Sequence, residues 1–563
     1  EALTLAPMRC SQFLSASEGN WVTRPVSRGM QKLSQVYKRA LSGCLNWRWS
    51  VLAVSLLIFL GSLTTISSLR KEFLPAQDQS RFLVNLYTKM GSSIDFTDGV
   101  FRKAEDFFKT RPEIDKYYVA VGGFGGGLVN QGISFVTLKD PADRPVVAPF
   151  KKRPTQQEFM SYVREELKKL SGVERVSILD LSLTGFSAQR GYPVEFQLQG
   201  VSWDKLVDLS IQMRKKLTDS GYMSDVDTDY RPNMPEIEIL PNRDTAAELG
   251  VSMATIANAV STMVGGIKML PNKYTDSTGH RDDIQIKLKP EENKSALDID
   301  KIYVRNIHGE VLPLSRVVDI KQSSTLLTIT RYNRERGIGI FGNIATGKSQ
   351  SDVIAYVQTL GKEMLPEGYH LTLSGSSQAF KESFQSLMFA LLLGIFVAYM
   401  VLASQFNSFL HPLVILLALP FSITGALWAM RLTDTSVNIY SLIGLLLLMG
   451  IVKKNSILLV EFTNHQRAEG LSVQDALLAA CPVRLRPILM TSIATITGAL
   501  PAAFALGAGA ETIRPMAIAV IGGVFVSTFL TLFVVPCAYS LIARFENRTH
   551  QQELTEALKA IQG

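Results

Sequence analysis

Six long stretches of the chain carry no charged residue: Trp49 to Leu69, Phe384 to Ala403, Pro412 to Met430, Val437 to Val452, Pro487 to Ala510 and Met516 to Leu541. A helix needs roughly 20 apolar residues to cross a hydrocarbon core of about 30 Å. The 16 residues of Val437 to Val452 reach only about 24 Å at 1.5 Å per residue. Continuing that helix through Asn455 to Phe462 restores a full span and encloses Lys453 and Lys454. A lysine at that depth marks an ion or substrate path. The alternative is a short span whose lysines snorkel to its cytoplasmic edge.

One span precedes and five follow a polar region from Arg70 to about Ser383. Within it Phe82 to Leu86, Ile133 to Leu138 and Val194 to Leu198 alternate like strands. Phe96 to Lys109, Thr155 to Leu170, Trp203 to Leu217 and Ser351 to Met364 carry helix-period apolar faces. The predicted fold class is therefore a six-helix membrane domain with an α+β extracytoplasmic domain built from βαβ-type modules. The texture changes between Asp244 and Thr330. A helical piece around Val251 to Val264 meets Gly265-Gly266, and a polar stretch returns as Ile284 to Leu288, which predicts an inserted subdomain with a projecting hairpin.

Charge sets the orientation. Between Trp21 and Arg48 lie Arg24, Arg28, Lys32, Lys38, Arg39 and Arg48 with no acid, so this flank is predicted to be cytoplasmic. Alternation then puts the polar region outside. It puts the Asn464 to Leu485 loop, with Arg467 and Arg484, and the tail, with Arg544 and Arg548, inside. Topology accounts for most of the net charge of +8, and no basic stripe with interleaved aromatics suggests nucleic acid. All four cysteines, Cys10, Cys44, Cys481 and Cys537, fall in or beside the membrane part, in no zinc or redox spacing.

The chain opens on Glu1 and an apolar fragment running to Cys10. Ala6-Pro7 leading to Cys10-Ser11 loosely echoes Val535-Pro536-Cys537 leading to Ser540. The echo predicts that residues 1–20 end a preceding transmembrane helix, as in transporters built from repeats. Residues 21–48 are then an amphipathic cytoplasmic linker.

Several long motifs, in order, resemble one family. They are Phe73-Leu-Pro-Ala-Gln-Asp-Gln79, the stretch from Gly132 to Pro145, Lys454-Asn455 followed by Val460-Glu-Phe462, and the stretch from Arg484 to Ser492. The chain resembles the C-terminal half of a resistance-nodulation-division (RND) efflux pump of the hydrophobe and amphiphile type. The resemblance implies a bacterial inner-membrane homotrimer with a large periplasmic domain, a periplasmic adaptor protein and an outer-membrane channel. Such a pump would be expected to export hydrophobic or amphiphilic small molecules on the proton motive force, without a cofactor, a metal or nucleic acid. The implied parts are a transmembrane helix at 49–69, porter subdomain 1 at 70–186 and porter subdomain 2 at 187–230 and 331–383. A docking subdomain with its hairpin fills 231–330, five transmembrane helices 384–543, and a cytoplasmic tail 544–563.

In that family a membrane lysine pairs with two aspartates of the other half. Lys454, next to Asn455, matches the lysine, and Arg484 and Thr491 match the arginine and threonine of the same proton relay. Their seven-residue spacing puts Arg484 and Thr491 on one helix face. A buried ammonium stabilises nearby carboxylates as anions, and their protonation releases it, so each proton biases two packings of the bundle. This chain has no membrane-embedded aspartate; Asp434, Glu461 and Glu511 stand at the ends of the predicted spans. The aspartates are therefore expected from a missing N-terminal half, fused or separate. Without the resemblance, Arg484 reads as a positive-inside anchor and Thr491 as a packing hydroxyl. Lys453 is an extra cation, read as more peripheral.

The glycine-rich Gly122 to Gly127 corresponds to the loop between two substrate pockets in such pumps. Phe124 and Phe135 match pocket aromatics, and Val119, Val121, Gly125 and Gly126 belong to the same pocket and loop. Val119 and Gly126 stand where drug pumps place phenylalanines, which points to a smaller or more aliphatic substrate.

Other classes compete. Gly342 to Ser349 satisfies the G-x-x-x-x-G-K-S phosphate-loop pattern between a strand-like Ile338 to Phe341 and a helix. It lacks a following strand with a magnesium-holding aspartate. In the outer domain an anchored enzyme finds only His280, His308 and His370, far apart, and no serine elbow. Scattered methionines such as Met213, Met223 and Met269 allow a metal-ion path but read as packing. A half-pump accessory for lipid or protein export is the nearer alternative.

Overall fold

The computed structural model describes residues 4–13, 23–122, 128–184, 191–232, 234–289, 301–326, 328–345, 347–505 and 509–545. Helix α1 (Leu5–Phe13) and the long α2 (Thr23–Asn46) lead into α3 (Arg48–Thr64). On α2, Tyr37, Leu41 and Leu45 repeat at four-residue spacing and so share a face. That face is buried against Leu485, Val535 and Cys537 at one end of the helical bundle.

The polar region holds two modules of the same topology. The first runs β1 (Arg81–Tyr87), α4 (Ile94–Lys109), β2 (Ile114–Val121), β3 (Gln131–Leu138), α5 (Gln156–Lys168) and β4 (Arg175–Asp180). Its sheet order is β2-β3-β1-β4, with every neighbour antiparallel. Each β-α-β unit is thus split by a strand inserted between its two parallel members. Phe101 and Phe108 of α4 and Phe159, Val163 and Leu167 of α5 bury one face of this sheet. Ser93 caps α4 and Thr155 caps α5 in a reciprocal pair with Glu158, which fixes where each helix starts.

After α6 (Leu181–Thr184), the second module runs β5 (Val194–Gly200), α7 (Trp203–Asp219) and β6 (Met223–Thr228). Before it resumes, an insertion brings β7 (Met234–Pro241), α8 (Arg243–Glu248), α9 (Met253–Val260), β8 (Ile267–Thr275), β9 (Arg281–Ile286), β10 (Tyr303–Arg305), β11 (Val311–Pro313) and β12 (Val318–Thr325). Strand β7 pairs with β12, and β8 with β9 forms an exposed hairpin. After β13 (Arg331–Tyr332), the module closes with β14 (Glu335–Ile344), α10 (Gln350–Met364) and β15 (Tyr369–Leu373). The order β6-β14-β5-β15 repeats the first sheet. Gly342 lies inside β14 opposite Val194, where a Cβ would stand 3.1 Å from the Ser224 carbonyl oxygen.

The remaining helices are α11 (Gly375–Phe406), α12 (His411–Leu416), α13 (Ala418–Leu432), α14 (Ile439–Ala468), α15 (Val473–Phe504) and α16 (Arg514–Ile542). Among the described residues, and counting α12 and α13 as one span, six helical segments are long and apolar enough to cross a membrane. Three predicted bounds differ. Helix α11 starts at Gly375, ahead of Phe384, because Phe380 and Phe384 pack into the second module's core. The span from Pro412 breaks at Leu417, and Pro420, in the first turn of α13, has no N–H to continue the α12 ladder. Helix α15 begins at Val473 and runs through Pro482 and Pro487, so Arg484 lies in a helix and not in a loop. Burial of Leu477, Cys481, Leu485 and Ile488 outweighs the bonds those prolines remove. Helix α16 meets α13 and α14 through glycines, and a Cβ on Gly425 would fall 2.2 Å from the Gly522 carbonyl oxygen. Close backbone approach of this kind suits helix contacts that lack a hydrophobic driving force.

Candidate functional site

Helix α14 passes uninterrupted through Lys453 and Lys454. Neighbouring residues on a helix point about 100° apart, so the two ammonium groups serve different surroundings. Lys454 and Asn455 line a cavity of about 190 Å³ with Thr491, Ser492 and Thr495 of α15 and Ser527 of α16. Lys453 instead lines an apolar groove of about 470 Å³ against α11. Lys453 is half-buried and Lys454 exposed in this chain, the reverse of the expectation that Lys453 is the more peripheral.

The cavity's hydroxyls are largely occupied within their own helices. Thr491 donates to the Ile488 carbonyl at 3.1 Å, Thr495 to the Thr491 carbonyl at 2.9 Å and Ser527 to the Val524 carbonyl at 3.2 Å. Ser492 shares a 2.8 Å bond with Thr528. Such back-bonding satisfies hydroxyls in an apolar bundle. Among the described residues, no hydrogen bond or salt bridge engages the side chains of Lys454 or Asn455. Glu461, on the same helix, is exposed. It lies within α14, which continues to Ala468, and not at a helix end. Asp434 pairs with Arg70 at 3.4 Å.

Arg484 does not line this cavity. Its guanidinium lies 4.5 Å from the centroid of the Phe462 ring, and its Nε is buried without a hydrogen-bond partner. Seven residues separate both Asn455 from Phe462 and Arg484 from Thr491, so the stacked pair sits two turns along the same α14–α15 seam. Of the residues expected to act together, the fold unites Lys454, Asn455 and Thr491 and sets Arg484 apart. Sequence reasoning missed Ser492, Thr495 and Ser527. The signal was present as Thr491 and Thr495 one turn apart and as the adjacent hydroxyls Ser527 and Thr528 in the apolar run of α16.

The predicted substrate residues are not gathered in one place. Phe124, Gly125 and Gly126 lie outside the described residues. Phe135 pairs across β2–β3 with Tyr118, their rings 6.4 Å apart. Val119 and Val121 pair with Ser134 and Gly132 and pack into the helix-covered core. Strand side chains alternate between faces, so the two valines point away from Phe135. The phosphate-loop pattern also has another use. Lys348 stands 4.4 Å from the centroid of the Tyr222 ring, Tyr222 stacks on Tyr356, and Ser349 caps α10.

Six membrane-length helices, a duplicated split β-α-β region between the first and second, and a carboxylate-free lysine cavity define a polytopic membrane transporter. More particularly, the chain belongs to the AcrB/AcrD/AcrF family of RND transporters, whose model matches residues 1–543. Multidrug resistance protein MdtC of Escherichia coli O81 (strain ED1a) is 30% identical over 568 residues, covering 99% of this chain and 54% of its own length. MdtC of Photorhabdus laumondii subsp. laumondii is 30% identical, covering 96% and 51%, and that of Salmonella schwarzengrund is 28% identical, covering 97% and 52%. The chain thus spans about half the length of the curated relatives it matches. The crystal structure of a heavy metal efflux pump shares the fold with a TM-score of 0.79 at 20% identity, over 92% of this chain and 52% of that one.

Proposed function

We propose that this chain contributes one half of a proton-driven exporter of hydrophobic or amphiphilic compounds. The observation that carries the reading is the cavity of Lys454, Asn455 and Thr491, where a lysine, an amide and hydroxyls meet without a carboxylate. A lone ammonium there is costly unless an anion or water faces it. Aspartates on a helix of a second half would complete the pair, and their protonation would release Lys454 and favour the alternative packing of α14 against α15 and α16. Arg484, stacked on Phe462, then positions the seam and, its guanidinium staying protonated throughout, exchanges no proton itself. The two modules and their insertion stand in the periplasm, where porter and docking parts work in a homotrimer with an adaptor and an outer-membrane channel. Residues 70–186 form the first porter part, 187–230 with 331–383 the second, and 231–330 the docking part. The exporter is a secondary active transporter of the bacterial inner membrane.

In the complete pump, Lys454→Met is expected to abolish dye efflux from cells while crosslinking still reports the assembled trimer. Efflux that persists in the assembled variant refutes the assignment.

A further inference from the structure

Between the first span and the first module, residues 70–73 run against two other elements. One is the start of α14. The Val437 N–H donates to the Arg70 carbonyl at 2.8 Å, the Glu72 N–H to the Val437 carbonyl at 3.1 Å and the Ile439 N–H to the Phe73 carbonyl at 3.4 Å. Lys71 and Val437 thereby pair as in a parallel sheet. The other is the start of α10. The Ser351 N–H donates to the Lys71 carbonyl at 3.2 Å. The Gln350 side chain accepts from the Phe73 N–H at 2.7 Å and donates to the Pro193 carbonyl, just ahead of β5, at 2.6 Å. Gln350 is 2% exposed, and a bond lost at such depth is not made up by water. One side chain therefore joins this segment to a helix and a strand of the second module.

The α14 end of this assembly is stiff. Asn438 and Ser441 cap the helix through reciprocal bonds of 2.8 and 3.0 Å, which fixes its first turn. Ile439 and Tyr440 in that turn pack, with Phe73 and Leu74, into the core of the second module. No proline interrupts α14 from there to Lys454, about 22 Å further on at 1.5 Å per residue. Of the helices that line the lysine cavity, α14, α15 and α16, only α14 reaches that core among the described residues. Helix α11 enters the core as well but lines no part of the cavity. Rigid helices and hydrogen-bond networks carry coupling between distant sites when they have two arrangements. We infer that residues 70–73 are a transmission strap, which passes displacement of α14, set by the charge state around Lys454, to α10 and β5. Gln350 is the positioning residue that links the strap to the module. The inference rests on the exporter reading and adds where proton-linked motion leaves the membrane bundle.

The test uses the complete pump in liposomes under an imposed pH gradient, with dye export and proton uptake read together. Gln350→Leu keeps most of the side chain's bulk and removes both bonds. It is expected to lower turnover severalfold at unchanged KM and to raise the protons taken up per dye exported, because α14 then moves without the second module. Arg70→Gly loosens the strap at an exposed side chain and is expected to act in the same direction. Adding Lys71→Cys and Val437→Cys puts two thiols at paired positions, near enough for a disulfide. Closing it with diamide is expected to restore turnover in Arg70→Gly. Unchanged turnover in Arg70→Gly, or in assembled Gln350→Leu, overturns the strap. So does a fall in turnover matched by an equal fall in proton uptake, which marks a structural role only, and so does a closed disulfide that leaves Arg70→Gly slow. Lys454→Met reports on the exporter reading separately, since export that persists there removes that reading whatever the strap variants do.

Discussion

The region between the first and second spans and the membrane bundle treat their inner cations in opposite ways. In the polar modules, Arg144 is fully buried and pairs with Asp78 at 2.5 Å, Arg111 with Glu113 at 2.6 Å and Arg164 with Asp225 at 2.7 Å. Each acid comes from the same chain. In the bundle, Lys453 and Lys454 have no such answer among the described residues, and Arg484 has a ring. Unpaired buried charge costs several kcal/mol in a protein interior, so a region meant only to be stable neutralises it locally. The most buried arginines of the modules find their acids within the chain. The bundle leaves its two lysines without an acid among the described residues, as the proposed coupling element requires if its charge is to respond to protons.

The contrast can be broken in order of effect. Arg144 bonds both Asp78 oxygens and also donates to the carbonyls of Lys139 and Pro154 and to Ser80. Arg144→Ala takes a fully buried guanidinium from the partly buried Asp78 carboxylate and is expected to cost about 3 kcal/mol, the low end for a broken buried pair, read by urea unfolding of the purified chain. A loss below about 1 kcal/mol would mean the modules do not depend on internal pairing.

Asp78 sharpens the same point through pH. Burial opposes its ionisation, but bonds from Arg144 and the Gln156 amide prevail and hold its carboxyl below the usual range. Its stabilisation is therefore complete above the unfolded value of about 3.9 and is lost as pH falls below it. Asp78→Asn is expected to lower stability at pH 7 by about 1.5–3 kcal/mol and to flatten the acid limb of the stability curve. An unchanged limb would show that other carboxylates govern it.

Smaller effects follow. Lys348→Ala removes a cation–π contact worth about 0.5–1 kcal/mol at an exposed site and is expected to leave transport intact in the complete pump. Loss of transport in a folded variant would restore nucleotide binding at that turn. Smallest of all, Lys454→Met in the isolated chain is expected to leave the melting temperature unchanged or slightly raised, because no partner is lost. A clear fall would reveal a partner for Lys454 within the chain.

Much of the architecture was legible in advance because the relevant signals are local. A run of apolar residues is a span whatever it packs against, and alternation or helical periodicity fixed Phe82 to Leu86 as strand and Trp203 to Leu217 as helix. Half of the membrane site was legible for the same reason, since Lys454 and Asn455 are adjacent and Thr491 needed only its place on a helix face. The remainder was not. Charge led the α15 boundary astray, because Arg484 and Arg486 end the uncharged run and nothing local shows that Cys481 and Leu485 are buried against α2.

The sequence by itself determined the spans, most helices and strands, and the anomalous lysines, because hydropathy and period act over a few neighbouring residues. Only the tertiary structure decided that two separated stretches form one repeated topology, that Val119 turns away from Phe135, and that Lys453 and Lys454 face different spaces. It also brought the Gln350 side chain between Phe73 and Pro193. Each of these depends on which distant segments pack together, and that is set by the whole set of buried surfaces rather than by any one stretch of chain.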